Sequence, residues 1–304
     1  MPQQFAPLIV DRNDHEQTCG IRKPESSFFD PCYNSLVVNV EIIVIGNEIL
    51  LGLVQDTNSN YLCRVLRGMG GRVCHITIVR DEIDSIVEEL NASISRRSDL
   101  IFTCGGLGPT DDDLTLGAVA VATNQPLMLD RAAREFVERK YIELASAGYV
   151  AEARMTDERL KMARLPEGAR AIENPVGAAP AVVLEARGCR IVSLPGVPSE
   201  LKAIVEGPLQ GLLGEIFGRG SYREREVMVE CNDESQLAPA LRQVAASNPD
   251  VYIKSRANRF GPDVTFRVTL SASATSADKA DAMIERASDD LTNALRNSGI
   301  QRKS

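Results

Sequence analysis

The chain has no tryptophan, only two histidines and no cysteine pair in C-x-x-C spacing, and these absences remove the soft-ligand chemistries first. A structural zinc or an iron–sulfur centre needs clustered thiolates and imidazoles; His15 and His75 stand far apart in the sequence. The seven cysteines are irregularly spaced. Cys63, Cys74 and Cys104 fall in apolar segments, which predicts reduced thiols packed in a core; Cys19 and Cys32 could pair, but in a flexible tail two free thiols are the expectation. Positive charge is the scarcer sign, 34 Lys and Arg against 42 Asp and Glu for a net −8. That balance disfavours a general binder of nucleic acid or membrane surface. No apolar run has the length needed to cross a bilayer, and Met1 to Asp14 lack the basic start and apolar core of a secretion signal. A cytoplasmic protein without membrane or nucleic-acid partners is therefore expected.

What is present is a glycine-rich turn among acids, Gly105-Gly106-Leu107-Gly108-Pro109-Thr110-Asp111-Asp112-Asp113-Leu114-Thr115. The apolar run Leu100 to Cys104 before it reads as a buried strand, and Leu114, Ala118, Val121 and Ala122 after it recur at helical spacing. A strand-to-helix turn with glycines lets the backbone approach a ligand, and the opening helix offers unpaired N–H groups that suit an anion. Three aspartates would repel a phosphate unless a divalent cation bridged them. With only oxygen ligands nearby, Mg²⁺ or Mn²⁺ is the expected ion. The structural alternative is a capping box, with Thr110 as N-cap and Asp113 returning the bond. A Walker loop is excluded because Pro109-Thr110 stands where Lys-Ser/Thr is required. The dinucleotide fingerprint also fails, since Asp111 occupies the place of its third glycine.

Similar acidic loops precede this one. Val37 to Ile45 is dense in β-branched residues and predicts a buried first strand ending at Gly46, followed by a loop with Glu48 and by Asp56 to Asn60, which supply caps for a helix ending near Met69. Arg72 to Val79 predicts a second strand with Asp81 at its end, before a helix marked by Ile83, Ile86, Val87, Leu90 and Ile94. In an open parallel α/β sheet the loops at the carboxyl ends of neighbouring strands converge on one crevice. Glu48, Asp56, Asp81 and Asp111 to Asp113 are thus expected to be neighbours, although each alone reads equally as a cap or a solvated acid. Further on, helices are expected over Arg131 to Ala147 and Ala151 to Ala163. A hairpin joins Ala181–Leu184 to Ile191–Leu194, and a second turn, Leu194-Pro195-Gly196-Val197-Pro198-Ser199-Glu200-Leu201-Lys202, opens onto a helix.

Three regions follow: a flexible extension over 1–36, an α/β domain over 37–220, and a small α+β domain over 221–304 with the order βαββα. The last carries twelve basic and twelve acidic residues from 222 onward, so no basic face is implied. Lys254 and Arg256 would share one side of a strand and reach an anion, or the domain serves packing and dimerisation.

Gly46-Asn-Glu-Ile-Leu-Leu-Gly52 with Asp56-Thr-Asn58, the turn Gly105 to Thr115, Asn174-Pro-Val-Gly177, and Leu194-Pro-Gly-Val-Pro-x-Glu200 with Lys202 together resemble the amino-terminal half of the CinA family and its stand-alone relatives. The resemblance runs over about residues 38–298. It implies a three-layer αβα MoaB/Mog-like domain with a mainly parallel sheet, followed by a KH-like domain. For this branch it implies a metal-dependent pyrophosphatase acting on ADP-ribose or a similar nucleotide diphosphate, aided by Mg²⁺, Mn²⁺ or Co²⁺ and by K⁺, in a homodimer. The wider family binds molybdopterin, and a non-catalytic molybdopterin or nucleotide binder is the alternative. The resemblance gives catalytic positions Asp81, Asp113 and Glu48 and metal ligands Asp81, Asp112 and Asp113. Its ligand-binding positions are Gly46, Asp56, Asn58, Gly105, Gly106, Gly108, Thr110, Thr115, Gly196 and Lys202. The motifs do not extend to the deamidase domain of the full-length relatives, and deamidase activity is not expected. Arg80 and Ala178-Ala-Pro-Ala181 depart from the family pattern and touch on substrate identity; without a Gly-x-x-Gly clamp, RNA binding by the KH route is disfavoured.

Overall fold

A computed structural model of the protein describes residues 38–218, 220–231, 233–257, 265–274 and 276–302. The extension over 1–36, with Cys19 and Cys32, lies outside the described residues.

The first elements are β1 (Asn39–Ile45), α1 (Asn47–Leu50), α2 (Asn58–Gly68), β2 (Arg72–Val79), α3 (Ile83–Ser95), β3 (Leu100–Cys104) and α4 (Thr115–Thr123). Then come β4 (Leu127–Leu129), α5 (Arg131–Ser146), α6 (Asp157–Lys161), β5 (Arg164–Pro166), β6 (Arg170–Ile172), β7 (Ala181–Ala186), β8 (Cys189–Leu194), α7 (Pro198–Glu206) and α8 (Gln210–Phe217). One sheet has the order β2-β1-β3-β8-β7-β6. Its first four strands are mutually parallel, and β7 runs against both neighbours.

Helices cover both faces of this sheet, which is why β3 is buried at all five positions and shows no alternation. On one side Val40, Ile42, Val44 and Phe102 pack with Leu62 and Leu66 of α2 and Leu201 of α7. On the other, Ile43, Ile45 and Ile101 meet Ile86 and Leu90 of α3 and Val119 of α4. Each such side chain contributes about 1.5–3 kcal/mol when fully buried. The result is the three-layer, mainly parallel MoaB/Mog-like fold. The β7–β8 hairpin forms as expected, on Arg187 and Gly188, both at positive φ as a tight two-residue hairpin turn requires.

A separate antiparallel region follows: β9 (Ser221–Glu230), α9 (Glu234–Ser247), β10 (Tyr252–Ala257), β11 (Thr265–Ala274), α10 (Ala277–Asn297) and β12 (Gln301–Arg302). Its sheet has the order β10-β11-β9-β12, and Val227, Val229, Phe266, Val268 and Leu270 turn one face to α9 and α10. The βαββα order matches the sequence, with β12 added.

Several local expectations are corrected. Gly46 to Gly52 contains the short helix α1 rather than only a loop. The helix expected over Ala151–Ala163 shrinks to α6, which starts where the Thr156 hydroxyl accepts the Arg159 N–H. The residues after it instead pair as β5 with β4. Cys74 is exposed, because β2 is an edge strand, whereas Cys104 is buried.

Candidate functional site

The parallel strands end in step. Ile45 pairs with Val79, Val44 with Cys104, and Cys104 with Leu194, so the segments beginning at Gly46, Arg80, Gly105 and Pro195 emerge at one edge. Gly46 N–H donates to Val79 O at 3.2 Å and Gly105 N–H to Leu194 O at 3.0 Å. Gly105 has φ +109°, and a Cβ there would overlap the Ile45 carbonyl; the close approach of β1 and β3 at this point is what requires glycine. Gly196 abuts it, its Cβ position 3.4 Å from Gly105 Cα.

These segments line a cavity of about 540 Å³. Of the sequence-derived residues, Glu48, Asp56, Asn58, Asp81, Gly105, Gly106, Gly108, Asp112, Asp113 and Gly196 line it together. Leu107, Tyr141, Met162, Ala178 and Ala179 give part of the wall an apolar surface. Among the described residues, the N–H groups of Gly106, Leu107 and Gly108 donate to no protein acceptor. A bare run of donors at a strand end is suited to an anionic oxygen.

Each acid is held differently. Asp81 Oδ2 accepts the Asn47 N–H at 2.7 Å. Burial pushes the Asp81 carboxyl above its ordinary range; the Asn47 bond opposes this in part, and the charges of Glu48, Asp112 and Asp113 add to the rise. Glu48 folds back over its own loop, where a Cβ on Gly46 would lie 2.8 Å from Oε1. Asp113 Oδ2 accepts from the Thr110 N–H at 2.9 Å and the Thr110 hydroxyl at 2.6 Å. The same hydroxyl reaches Asp112 Oδ1 at 2.5 Å, a bond that holds the Asp112 carboxyl below its usual range, with Lys161 adding to the effect. Only half of the expected Thr110–Asp113 box forms, since the Asp113 N–H donates to the Thr110 carbonyl and not to its hydroxyl, and it closes a loop: α4 begins later, at Thr115. Asp56 caps α2, its Oδ1 accepting the Asn58 and Ser59 N–H groups at 3.0 Å each. Asn58 ties that cap to the neighbouring turn through Gly196 O at 2.7 Å.

Four expected ligand residues fall outside the cavity wall. Gly46 sits beneath Glu48. Thr110 spends its hydroxyl on Asp112 and Asp113. Thr115 is fully buried and braces the turn through a 2.7 Å bond to Gly105 O. Lys202 Nζ lies 5.7 Å from the Tyr61 ring centroid. The expected metal triplet of Asp81, Asp112 and Asp113 is likewise not closed, because Thr110 turns the last two onto itself; among the described residues no three His, Cys, Asp or Glu side chains are gathered to hold one ion. The donor set still fits a hard cation, being all oxygen, with no Lys, Arg or His paired to Asp81 among the described residues.

Three residues escaped the sequence reading. Lys161, on α6, donates through Nζ to the Thr110 carbonyl, a contact no local pattern announces. Glu200 lines the cavity from the first turn of α7. Asn174 donates to Glu200 Oε2 at 2.7 Å. Both stand inside motifs noted for the family resemblance, so position alone was the signal.

Residues 41–214 match the model of a family described as the probable molybdopterin binding domain. The chain belongs to that molybdopterin-binding-domain family. Its relatives include a protein of Aeropyrum pernix, 40% identical over 80% of this chain and 88% of the relative, and one of Caldivirga maquilingensis, 41% identical over 81% and 92%. Among solved structures, the CinA protein of Thermoplasma acidophilum is 34% identical, with a TM-score of 0.52 over 58% of this chain and 98% of that one. The family model spans β1 to α8 and so contains the whole cavity wall. Among the described residues, no helix of this molybdopterin-binding-domain protein is long and apolar enough to cross a membrane.

Proposed function

We propose that the protein hydrolyses the diphosphate bond of a nucleotide diphosphate of the ADP-ribose kind with the help of a divalent cation. The observation that carries this reading is the meeting, in one cavity, of carboxylates from three successive strand ends with the unbonded N–H groups of Gly106, Leu107 and Gly108. Asp81, Asp112 and Asp113 would hold the cation, Mg²⁺, Mn²⁺ or Co²⁺ with K⁺ as auxiliary; its chemistry there is to offset the charge of the paired phosphoryl groups. The Gly106–Gly108 donors steady charge as it develops on a phosphoryl oxygen. Glu48 takes the proton of the attacking water, the water oxygen bonds to phosphorus, and the bridging P–O bond breaks to leave two phosphomonoesters. The Asn47 N–H keeps Asp81 facing the cavity while this happens.

A second reading is favoured by the family description itself: the cavity holds molybdopterin or a nucleotide without cleaving it. A panel separates the two. Purified protein is incubated with ADP-ribose, FAD, NAD and CoA in each of the three divalent ions while phosphomonoester products are followed. Cation-dependent release of AMP from ADP-ribose supports hydrolysis. No turnover of any compound, alongside tight pterin binding, establishes the second reading instead. A homodimer, tested by sedimentation, belongs to the same proposal, as does a KH-like fold for the antiparallel region that binds no RNA, for which the expected result of an oligonucleotide titration is no binding.

A further inference from the structure

The acids discussed so far lie at the ends of β1 to β3. Glu200 enters the same cavity from the first turn of α7, after β8, and its setting is more constrained than theirs. Asn174, 4% exposed, has both ends of its amide committed. Its Oδ1 accepts the Val176 and Gly177 N–H groups at 3.0 and 2.8 Å, and its Nδ2 donates to Ala179 O at 2.9 Å and Glu200 Oε2 at 2.7 Å. The two N–H donors on Oδ1 fix which end of the amide faces Glu200, so Asn174 presents a donor there and nothing else. Gly177 completes the cradle, because a Cβ at that position would overlap the Glu200 carboxylate. Its φ is not in the left-handed region, so the missing side chain makes room for Glu200 and is not required by the backbone.

One oxygen of Glu200 is thus taken by Asn174. Among the described residues, the other, Oε1, has no donor, and no Lys, Arg or His forms an ion pair with the carboxylate. The cavity that it lines also carries the apolar or aromatic Ala178, Ala179, Tyr141 and Met162. A half-buried carboxylate fixed by an amide, with one oxygen left open, is an acceptor waiting for a donor. Phosphate oxygens have none to give at neutral pH. The donors of a nucleotide are its sugar hydroxyls and, on adenine, an amino group.

We propose that Glu200, positioned by Asn174 and Gly177, is a specificity residue that accepts hydrogen bonds from a donor on the non-phosphate part of the ligand. This rests on the reading of the cavity as a nucleotide diphosphate site, and it assigns that site a polarity: cation and phosphates under the Asp81 side, nucleoside or sugar donors at Glu200.

The test exploits the geometry. In Glu200→Gln the amide oxygen still accepts from Asn174, but the group facing the cavity changes from acceptor to donor. Gly177→Ala leaves the carboxylate chemically intact and displaces it. Binding of three probes to the full chain is measured by calorimetry with Ca²⁺, which is outside the set of ions expected to support turnover: ADP-ribose, its 2′-deoxyribose analogue and its inosine analogue. The expected result is that wild type binds ADP-ribose more tightly than one of the two analogues by about 10- to 100-fold, the value of a hydrogen bond to a charged group. Both variants lose that preference. Loss against the deoxy analogue assigns the donor to a sugar hydroxyl, and loss against the inosine analogue assigns it to the amino group. In turnover, KM for ADP-ribose rises by the same factor while kcat is kept. Equal preference in wild type and both folded variants overturns the assignment of Glu200 while leaving the cavity reading intact. Failure of wild type to bind any probe overturns the cavity reading, and this inference with it.

Discussion

The two edges of the six-stranded sheet treat a carboxylate in opposite ways. Near the amino end of β1, Glu41 is 3% exposed and is given donors from every side. Ser93 and Ser98 hydroxyls reach it at 2.8 and 2.6 Å, and Arg96 at 2.6 to 3.1 Å through two nitrogens. Burial alone would raise this carboxyl, yet the Arg96, Ser98 and Ser93 bonds bring it down to about 2. At the carboxyl end, Asp81 has one backbone donor and three acidic neighbours, and its carboxyl is raised. The lesson is that this fold can satisfy a buried acid completely where structure is the only demand. Charge left uncompensated at the other edge costs stability, and that cost is expected where a ligand or ion supplies the compensation.

The largest expected effect falls on the carboxyl edge. Asp81→Asn keeps the Asn47 bond through its amide oxygen and removes one like charge. Turnover of ADP-ribose should fall on the order of a thousandfold, a loss of several kcal/mol of charge stabilisation, while the melting temperature holds or rises. A fall in both would show that Asp81 is a structural acid like Glu41 and would erase the contrast. At the amino edge the reverse is expected. Arg96→Ala strands the Glu41 charge and should cost about 3 kcal/mol in denaturant unfolding, with turnover per folded molecule unchanged.

Acid titration sharpens the comparison through its sign. Glu41 has a folded pKa below its ordinary 4.5, so its stabilisation is complete above that value and drains away as pH falls from about 4.5 toward 2. Asp81 has a raised pKa, so its contribution is present below the ordinary 3.8 and is lost as pH rises through the folded value. Unfolding free energies of Glu41→Gln and Asp81→Asn, measured against wild type from pH 6 to 3, should therefore diverge in opposite directions. The smallest effect belongs to the antiparallel region. Arg225 pairs with Glu285 on the surface of β9 and α10, and exposed pairs of this kind contribute little. Arg225→Ala should leave both melting temperature and turnover within error.

Much of this architecture can be read in the letters. Strands β1, β3 and β8 are buried on both faces, so their β-branched runs announce them, and glycines at 105 and 106 mark the turn because only glycine tolerates its backbone there. Register carries the rest of the cavity: once four parallel strands end level, Glu48, Asp56, Asp81 and the Asp112–Asp113 pair must converge. What the letters hid depends on distant partners. Cys74 looks like a core residue until β2 proves to be an edge strand. Thr110 looks like a ligand residue until its hydroxyl is found spent on the two aspartates beside it. Asn174 and Glu200 meet only because the β7–β8 hairpin folds one loop onto the other, and Glu41 hides in an apolar strand whose partners arrive from the far end of α3.

The central claim is that charge uncompensated at the Asp81 edge is there to act on a diphosphate. Phosphorus NMR of ADP-ribose incubated with the protein tests it most directly. The two diphosphate resonances are expected to give way to two phosphomonoester resonances only when Mg²⁺, Mn²⁺ or Co²⁺ is added, and not at all with Asp81→Asn. Diphosphate resonances that persist unchanged with every ion, in a sample where calorimetry shows the compound bound, would contradict it.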